Sequence, residues 1–230
     1  MITKNFAKRL CGFLFLFILA TNAASVVLGN KIGEEDSVTK LLMINNNPNQ
    51  FLSSLVVALI SHVSIIPLVV MLYFVFSPYN KLLMIIATIF RLGEALIHIY
   101  NEINFLQLIN MAKEYAVVSD ADKIVLRASA NIILQTKNFT FPIALALLAI
   151  GALAYCILFV TNRAIPTMIA WLGLTASVLS VVGSGIILIE PGFDILFKIG
   201  FLLMMLFEII FGGWLLFYSH KREYTGNRNQ

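Results

Sequence analysis

The sequence predicts an all-α integral membrane protein, a bundle of six transmembrane helices with short interfacial amphipathic helices. Of its 230 residues, 60% are hydrophobic and 12% are charged, whereas soluble domains are about half apolar and a quarter charged. The mean hydropathy of +0.90 is correspondingly high. Because about 20 apolar residues cross a hydrocarbon core of roughly 30 Å, the chain has room for six spans and modest loops. Residues 1–230 are therefore expected to form a single transmembrane domain.

Six apolar runs are separated by polar turns, and each run is long enough to cross a membrane. Three of the connections are too short for anything but a turn between antiparallel neighbours. Pro67 is expected to break the second span. The predicted spans are residues 10–29, 51–76, 82–111, 139–160, 167–189 and 194–218.

The first span follows Lys4, Lys8 and Arg9, which is also how a secretory signal peptide begins. Cleavage after Ala24 would place Asn22 at the third position before the cut, where a small residue is required. We therefore predict a retained helix rather than a cleaved signal.

The two longer connections should lie on the same side of the membrane, and each carries a helical pattern. In the first, Val38, Leu41 and Leu42 follow an acidic stretch at residues 34–36. We predict a short amphipathic helix on the bilayer surface for each connection, and a plain solvated loop is the alternative. In the second, the polar face is Lys123, Arg127, Asn131 and Gln135, and the apolar face is Ile124, Val125, Ala128 and Ile132.

Basic residues collect on the side of the membrane that carries both termini. Because basic loops stay in the cytoplasm, both termini are predicted to be cytoplasmic. The net charge of +4 thus reports orientation, and no nucleic-acid partner is predicted. The residues are Lys4, Lys8, Arg9, Lys81, Arg163, Lys221, Arg222 and Arg228.

The third span carries four ionisable residues on one helical face. Arg91, Glu94, His98 and Glu102 fall at positions i, i+3, i+7 and i+11. An ionisable group at bilayer depth costs several kcal/mol, so such residues usually face the bundle interior and have partners. Glu102 lies close enough to the membrane surface to be solvated.

Depth along the helices suggests which groups meet. At 1.5 Å per residue, His62 and Glu94 both lie roughly 16 Å from the outer surface, and Arg91 and Glu208 both lie near roughly 21 Å. Arg91 is therefore expected to pair with Glu94, with Glu208 or with both, and His62 to join Glu94 and His98. The candidate ligand-binding residues are Arg91, Glu94, His98, Glu208 and His62.

Two readings of this cluster stay open. It is either a dry ion network that fixes helix register, or a ligand or ion site in a water-filled cavity. A metal site built from His62, Glu94, His98 and Glu102 is a third and weaker reading, because Glu94 and His98 are four apart rather than the three of the di-iron bundle motif. We predict no metal and no cofactor.

The remaining features indicate packing rather than chemistry. Cys11 and Cys156 lie inside apolar runs, which argues against a disulfide framework or a cysteine-based metal site. On the fifth span, Ala176, Ser180 and Ser184 recur at i+4 and favour close helix approach. The sequence has no phosphate loop or catalytic triad motif, so enzymatic activity is not supported.

Several short motifs, in their order and spacing, resemble an uncharacterised bacterial family of membrane proteins, domain of unknown function 4386. The motifs are residues 90–94 (FRLGE), 162–166 (NRAIP) leading to 171–173 (WLG), and Phe207-Glu208 followed by 213–216 (GWLL). The resemblance covers nearly the whole chain and implies the membrane class and fold. The family offers no established activity, and its pattern does not include His62 or His98.

These observations predict a bacterial cytoplasmic-membrane protein that binds or passes a small solute or ion at Arg91, Glu94 and Glu208. In this reading Arg91 neutralises a carboxylate or attracts an anion, and Glu94 titrates. The alternatives are a membrane partner or sensor protein with a structural polar core and, third, a membrane-embedded metal-dependent enzyme. The expected partners are the lipid bilayer and the solute or ion, and formation of a homo-oligomer stays open.

Overall fold

The computed structural model describes residues 3–29, 36–190 and 192–217. Within this part of the chain every regular element is an α-helix, as predicted. The helices are α1 (Lys4–Leu28), α2 (Ser37–Asn46), α3 (Pro48–Phe76), α4 (Lys81–Tyr115), α5 (Asp120–Asn162), α6 (Thr167–Ile189) and α7 (Ile195–Phe217).

Six of these helices, all but α2, are long and apolar enough to cross a membrane. They correspond one to one with the six predicted spans, and the predicted fold class is confirmed. Several helices begin at a residue whose side chain accepts a hydrogen bond from a backbone N–H group of the first turn. Examples are Asn80 before α4 and Ser119 before α5. The basic tail at 221–228 and Glu34 and Glu35 lie outside the described residues.

The six spanning helices form a closed ring. Each packs against two others, in the order α1, α3, α4, α5, α6, α7 and back to α1. Because successive spans alternate in direction, the start of α1 and the end of α7 lie at one end of the ring, which we call the proximal end. The α4–α5 and α6–α7 turns lie at the other, distal end, together with α2.

Glycines let α7 approach both of its neighbours closely. A Cβ added at Gly12 of α1 would lie 2.5 Å from the carbonyl oxygen of Gly212 in α7. A Cβ at Gly183 of α6 would lie 2.7 Å from the backbone of Phe197, and one at Gly200 would lie 2.8 Å from Ser180. Such close backbone approach is typical of helix pairs in membranes, where small residues replace hydrophobic side chains at the interface.

The predicted break at Pro67 is wrong, because α3 continues through it from Pro48 to Phe76. Proline removes one backbone hydrogen bond, but unwinding the helix inside lipid would leave several more groups without partners. The helix is therefore the better solution at this depth. Pro142 is carried inside α5 in the same way.

The second long connection also differs from the prediction. Its polar stripe does not form a separate interfacial helix but is the first part of α5, which runs without interruption for 43 residues. Ile124 and Ile132 of the predicted apolar face are 70% and 65% exposed, and the helix packs on the rest of the protein through other residues, among them the buried Ala130. With no glycine or proline between residues 120 and 141, nothing in the sequence ends the helix before it reaches the membrane.

A second small core therefore forms at the distal end. At 1.5 Å per residue, α4 is about 52 Å and α5 about 64 Å long, so both extend beyond the roughly 30 Å hydrocarbon layer. Helix α2, which occupies the first long connection as predicted, packs against these extensions. The buried residues of this distal cap are Leu41, Ile44, Phe51, Leu55, Phe105, Leu108, Ala112 and Ala130.

Candidate functional site

A cavity of about 570 Å³ occupies the distal half of the ring. All six spanning helices contribute to its wall, and all five residues predicted from the sequence line it. Its volume lies in the range of small-molecule sites, which is roughly 300–1,000 Å³. The ionisable side chains that line it are Arg91, Glu94, His98, Glu102 of α4, His62 of α3, Lys137 of α5 and Glu208 of α7.

The deepest polar group is a triad of Arg91, Glu94 and Glu208. Arg91 Nη1 lies 3.0 Å from Glu94 Oε2 and 3.4 Å from Glu208 Oε1. All three residues are at most 6% exposed. Arg91 is ten residues from the start of α4, or about 15 Å, which places the triad near the middle of the bilayer. Matching depths along α4 and α7 thus predicted this contact correctly.

The triad holds two carboxylates and one guanidinium. Among the described residues, Arg91 is the only cationic side chain within ion-pair distance of either carboxylate. The ion pairs are also imperfect: Arg91 Nη1, Glu94 Oε2 and Glu208 Oε1 are buried without an aligned hydrogen bond, and so is Arg91 Nε. With both carboxylates ionised the triad has a net charge of −1, which must be balanced by a proton or by a cation.

The two histidines of the cavity stack on each other. Their ring centroids are 4.5 Å apart and the planes differ by 12°. His98 also lies edge-on to Phe141, at 6.0 Å. Thus His62 meets His98 as predicted, but no ion pair or hydrogen bond links it to Glu94.

Stacked rings do not converge on one metal ion, because the ring nitrogen lone pairs lie in two parallel planes. Within the part of the chain that the structure describes, no three His, Cys, Asp or Glu side chains are grouped to hold a metal. The four residues of the third sequence-based reading lie along the cavity wall rather than around a point.

Lys137 is a cavity residue that the sequence analysis missed. Its Nζ lies 4.0 Å from Glu102 Oε1 and 4.2 Å from the centre of the Phe105 ring. Because Glu102 is about 32 Å from the start of α4, this pair marks the distal end of the cavity. Its position two residues before the predicted fourth span, at the depth of Glu102, was the signal that could have revealed it.

Two serines assigned to packing also line the cavity. Ser180 and Ser184 of α6 are 6% and 1% exposed, and neither hydroxyl has a hydrogen-bond partner in the structure. Ser177, one turn away, donates instead to the Gly173 carbonyl oxygen. The backbone of Ser180 does pack closely, against Gly200. The α6 stripe therefore allows close approach to α7 through its backbone, and two of its serines also belong to the cavity wall.

Aromatic side chains close the proximal half of the ring. Phe159 and Phe211 lie 5.1 Å apart at the centre of this group, and Phe76 lies 4.8 Å from Phe159. All members are at most 2% exposed, so they form a dry plug below the triad. The group consists of Phe15, Phe76, Tyr155, Phe159, Phe207 and Phe211.

Fold and site together define a multi-pass membrane protein with a cavity that is lined by ionisable side chains and closed at its proximal end. Residues 10–218 match the family model described as Domain of unknown function (DUF4386), and the chain belongs to this family. The resemblance noted from the motifs is thereby confirmed. No curated protein and no solved structure matches the chain.

Proposed function

We propose that this protein binds or passes a small solute or ion at the triad of Arg91, Glu94 and Glu208. The observation that carries the proposal is the cavity, which runs from the distal end of the ring to the triad. Ionisable groups inside a membrane are expensive and mark substrate or proton pathways when they line a cavity.

The composition of the triad favours a cation or a proton over an anion. One guanidinium balances one carboxylate, and the second carboxylate supplies the unbalanced negative charge. An anion in this cavity would meet two carboxylates at 3.0 Å and 3.4 Å from the single Arg91 nitrogen that could attract it. Arg91 therefore holds the two carboxylates in place, and Glu94 or Glu208 exchanges the proton or cation.

The location proposed for this activity is the bacterial cytoplasmic membrane, with both termini in the cytoplasm. Lys81 and Arg163 occupy the two proximal hairpins, which supports a cytoplasmic proximal end. In this orientation the cavity faces the outer side, and the aromatic plug separates the triad from the cytoplasm.

A second candidate is a membrane partner or sensor protein whose polar core is structural. It is favoured by the fact that Arg91 contacts both carboxylates, as a register-fixing network requires. The two candidates differ in whether Glu94 interacts with anything outside the chain.

The test measures unfolding temperature of the purified protein against rising concentrations of sodium, potassium, tetramethylammonium and tetraphenylphosphonium chloride. A ligand of the folded state raises the unfolding temperature with concentration. We expect at least one cation to do so for the wild type and for Glu190→Gln, an exposed control, but not for Glu94→Gln. A response that is absent throughout the series, or unchanged in Glu94→Gln, would contradict cation binding at the triad.

A further inference from the structure

Most of the cavity wall is hydrocarbon. Above the triad, side chains such as Ile65, Leu145, Leu148 and Met204 face the space, and the polar groups are confined to a few positions. A hydrated inorganic ion gains nothing from such a wall, whereas an organic ligand binds more tightly because its apolar surface is removed from water there. The wall therefore selects a ligand with a hydrocarbon body.

The charged end of such a ligand is set by the triad. The floor of the cavity holds two carboxylates and one guanidinium, and Ser180 and Ser184 of the α6 wall carry hydroxyl groups without hydrogen-bond partners. The one other cationic side chain of the described wall, Lys137, faces Glu102. Carboxylates and hydroxyl oxygens together attract an ammonium or another onium group.

Aromatic rings line the path to this floor. Phe141, Phe197 and Phe201 belong to the wall, and Phe141 and Phe197 meet edge to face at 6.5 Å. Ring faces attract cations, most strongly where water is excluded. The ring faces give an anion no such attraction.

The cavity also reaches the lipid-facing side of the ring, between α1 and α7. These helices make their close contacts in the proximal half, at Gly12 with Gly212 and at Phe15 with Phe211. In the distal half, Val26 of α1 and Phe201 of α7 line the cavity and yet are 73% and 45% exposed. A ligand dissolved in the outer part of the bilayer can therefore reach the triad through this seam.

From these features we infer that the ligand is a lipophilic monovalent cation, an onium or amine group on a hydrocarbon body, that is taken up through the seam between α1 and α7. This inference rests on the proposed function and names its substrate class. The onium group binds on the cavity side of the triad, whose net charge attracts it, and the body fills the apolar part of the cavity. No bond is made or broken.

Tetraphenylphosphonium is the probe, and tetraphenylborate, which has the same shape and the opposite charge, is its control. Isothermal titration calorimetry of the purified protein in non-ionic micelles, with empty micelles subtracted, measures both. We expect tetraphenylphosphonium to bind at least about tenfold more tightly than either tetraphenylborate or tetramethylammonium. Equal binding of the borate would overturn the charge assignment, and equal binding of tetramethylammonium would overturn the hydrocarbon body.

Variants locate the site. Glu208→Gln should weaken tetraphenylphosphonium binding at least about tenfold, because it leaves the onium group a neutral triad, and Glu208→Asp should retain most of the affinity. Since Glu208→Gln alters a buried ion pair, Ala23→Arg provides a test that leaves the core intact. Ala23 lines the cavity and Ala24 does not, although both are exposed. Ala23→Arg should weaken binding about tenfold and Ala24→Arg should leave it within about twofold.

Two results would contradict the lipophilic cation without contradicting cation binding at the triad. If sodium or tetramethylammonium stabilises the protein in a Glu94-dependent way while tetraphenylphosphonium does not bind, the lipophilic cation is excluded and the proposed function stands. If tetraphenylphosphonium binds equally to Ala23→Arg and Ala24→Arg, the seam is not its route or its site. Both results overturn the inference.

Discussion

Arg91 is the residue on which the interior of this protein depends. It is 2% exposed and holds two carboxylates that would otherwise repel each other at the centre of the membrane. A buried ion pair contributes little compared with a well-packed apolar group, but removal of one partner leaves an uncompensated charge. Loss of one charged partner of the triad should therefore destabilise the fold more than loss of two opposite charges together.

Arg91→Ala should therefore lower the free energy of unfolding by about 3–5 kcal/mol. Adding Glu208→Gln should restore part of this loss, because the double variant no longer buries an unpaired carboxylate at that position. Unfolding of purified single and double variants in detergent measures the coupling energy. Strict additivity of the two changes would rule out a direct interaction. The exposed pair Lys198 and Asp194 provides the control, since Lys198→Ala should change stability by less than about 1 kcal/mol.

At this scale the sequence predicts the triad but not the whole site. Arg91, Glu94 and Glu208 are recognisable because charged residues in apolar runs need partners at their own depth. Lys137 was not predicted as a site residue because it lies just outside the predicted fourth span, where a lysine is common. Ser180 and Ser184 were missed for another reason: the i+4 pattern predicts a packing face but does not show which of its residues also line a cavity.

Among the helices, α7 depends most on close backbone contacts. It approaches α6 at Gly183 and Gly200 and α1 at Gly12 and Gly212. The contact with α1 lies in the proximal half and the contacts with α6 lie in the distal half, so α7 stays against α6 where it diverges from α1 at the distal seam. The position of the seam is therefore set by where the glycines lie.

Two glycines of α6 allow a matched test. Gly183→Ala should destabilise the protein by about 1–3 kcal/mol, because its Cβ would lie 2.7 Å from the Phe197 backbone and the helices must shift. Gly185→Ala, on the same helix with no atom within 4 Å of its Cβ, should instead be neutral or stabilise by roughly 0.5–1 kcal/mol. Thermal unfolding of both variants decides the point. Equal effects would mean that α6 and α7 do not pack through Gly183.

Helix α2 depends on its N-terminal cap. The Asp36 carboxylate accepts hydrogen bonds from the backbone N–H groups of Val38 and Thr39 and from the Thr39 hydroxyl. These hydrogen bonds, those from Thr39 first, hold the pKa of Asp36 below its ordinary value. Because the folded pKa is lowered, the cap is intact above the ordinary pKa and is lost only as the pH falls through the lowered one.

Asp36→Ala should consequently speed amide hydrogen exchange in α2 several-fold at neutral pH, while Asp36→Asn should have a smaller effect because asparagine also caps. Asp120→Ala serves as the control, since Asp120 is exposed in the first turn of α5 and its carboxylate contacts Lys123. Exchange in α2 that does not change on loss of Asp36 would contradict this role of the cap.

The elements themselves show where sequence reasoning succeeds. Hydropathy gives six spans because lipid demands about 20 apolar residues in a row. It fails at the first part of α5, where a polar helix continues an apolar one and no breaker separates them. It also fails at Pro67, because lipid, unlike water, cannot form hydrogen bonds with the backbone groups that an interrupted helix would expose.

At the scale of the whole molecule, orientation decides what the cavity can do. We predict that the proximal end is cytoplasmic, on the basis of Lys81 and Arg163 in the two short hairpins. A fluorescent protein fused after Gln230 should therefore fold and fluoresce, whereas alkaline phosphatase inserted at residues 116–119 should be active. The opposite pair of results would turn the cavity towards the cytoplasm.

The ring, with its aromatic plug below the triad, gives the molecule two unequal halves. The proximal half is filled by the aromatic plug, and the distal half holds the cavity with its ionisable side chains. No motif in the sequence predicts this division, because it depends on how the helices pack: α1 and α7 meet at the proximal end and diverge at the distal end. The proposed binding of a cation depends on the distal half being accessible.

Accessibility of introduced cysteines in intact cells tests this claim most directly. In a Cys11→Ala, Cys156→Ala background, single cysteines at Ser180, Ser184, His62, His98, Glu94 and Glu208 are exposed to a small water-soluble thiol reagent. Only a thiol that meets water reacts readily. Cysteine at Ser177, which is buried on the same helix but outside the cavity, is the matched negative control, and cysteine at the exposed Ala121 is the positive control.

We expect at least two of the cavity positions to react while Ser177→Cys stays protected. We also expect tetraphenylphosphonium to slow the reaction at these positions. If every cavity cysteine stays protected while Ala121→Cys reacts, the triad is a dry structural network, and its place in a binding site is contradicted.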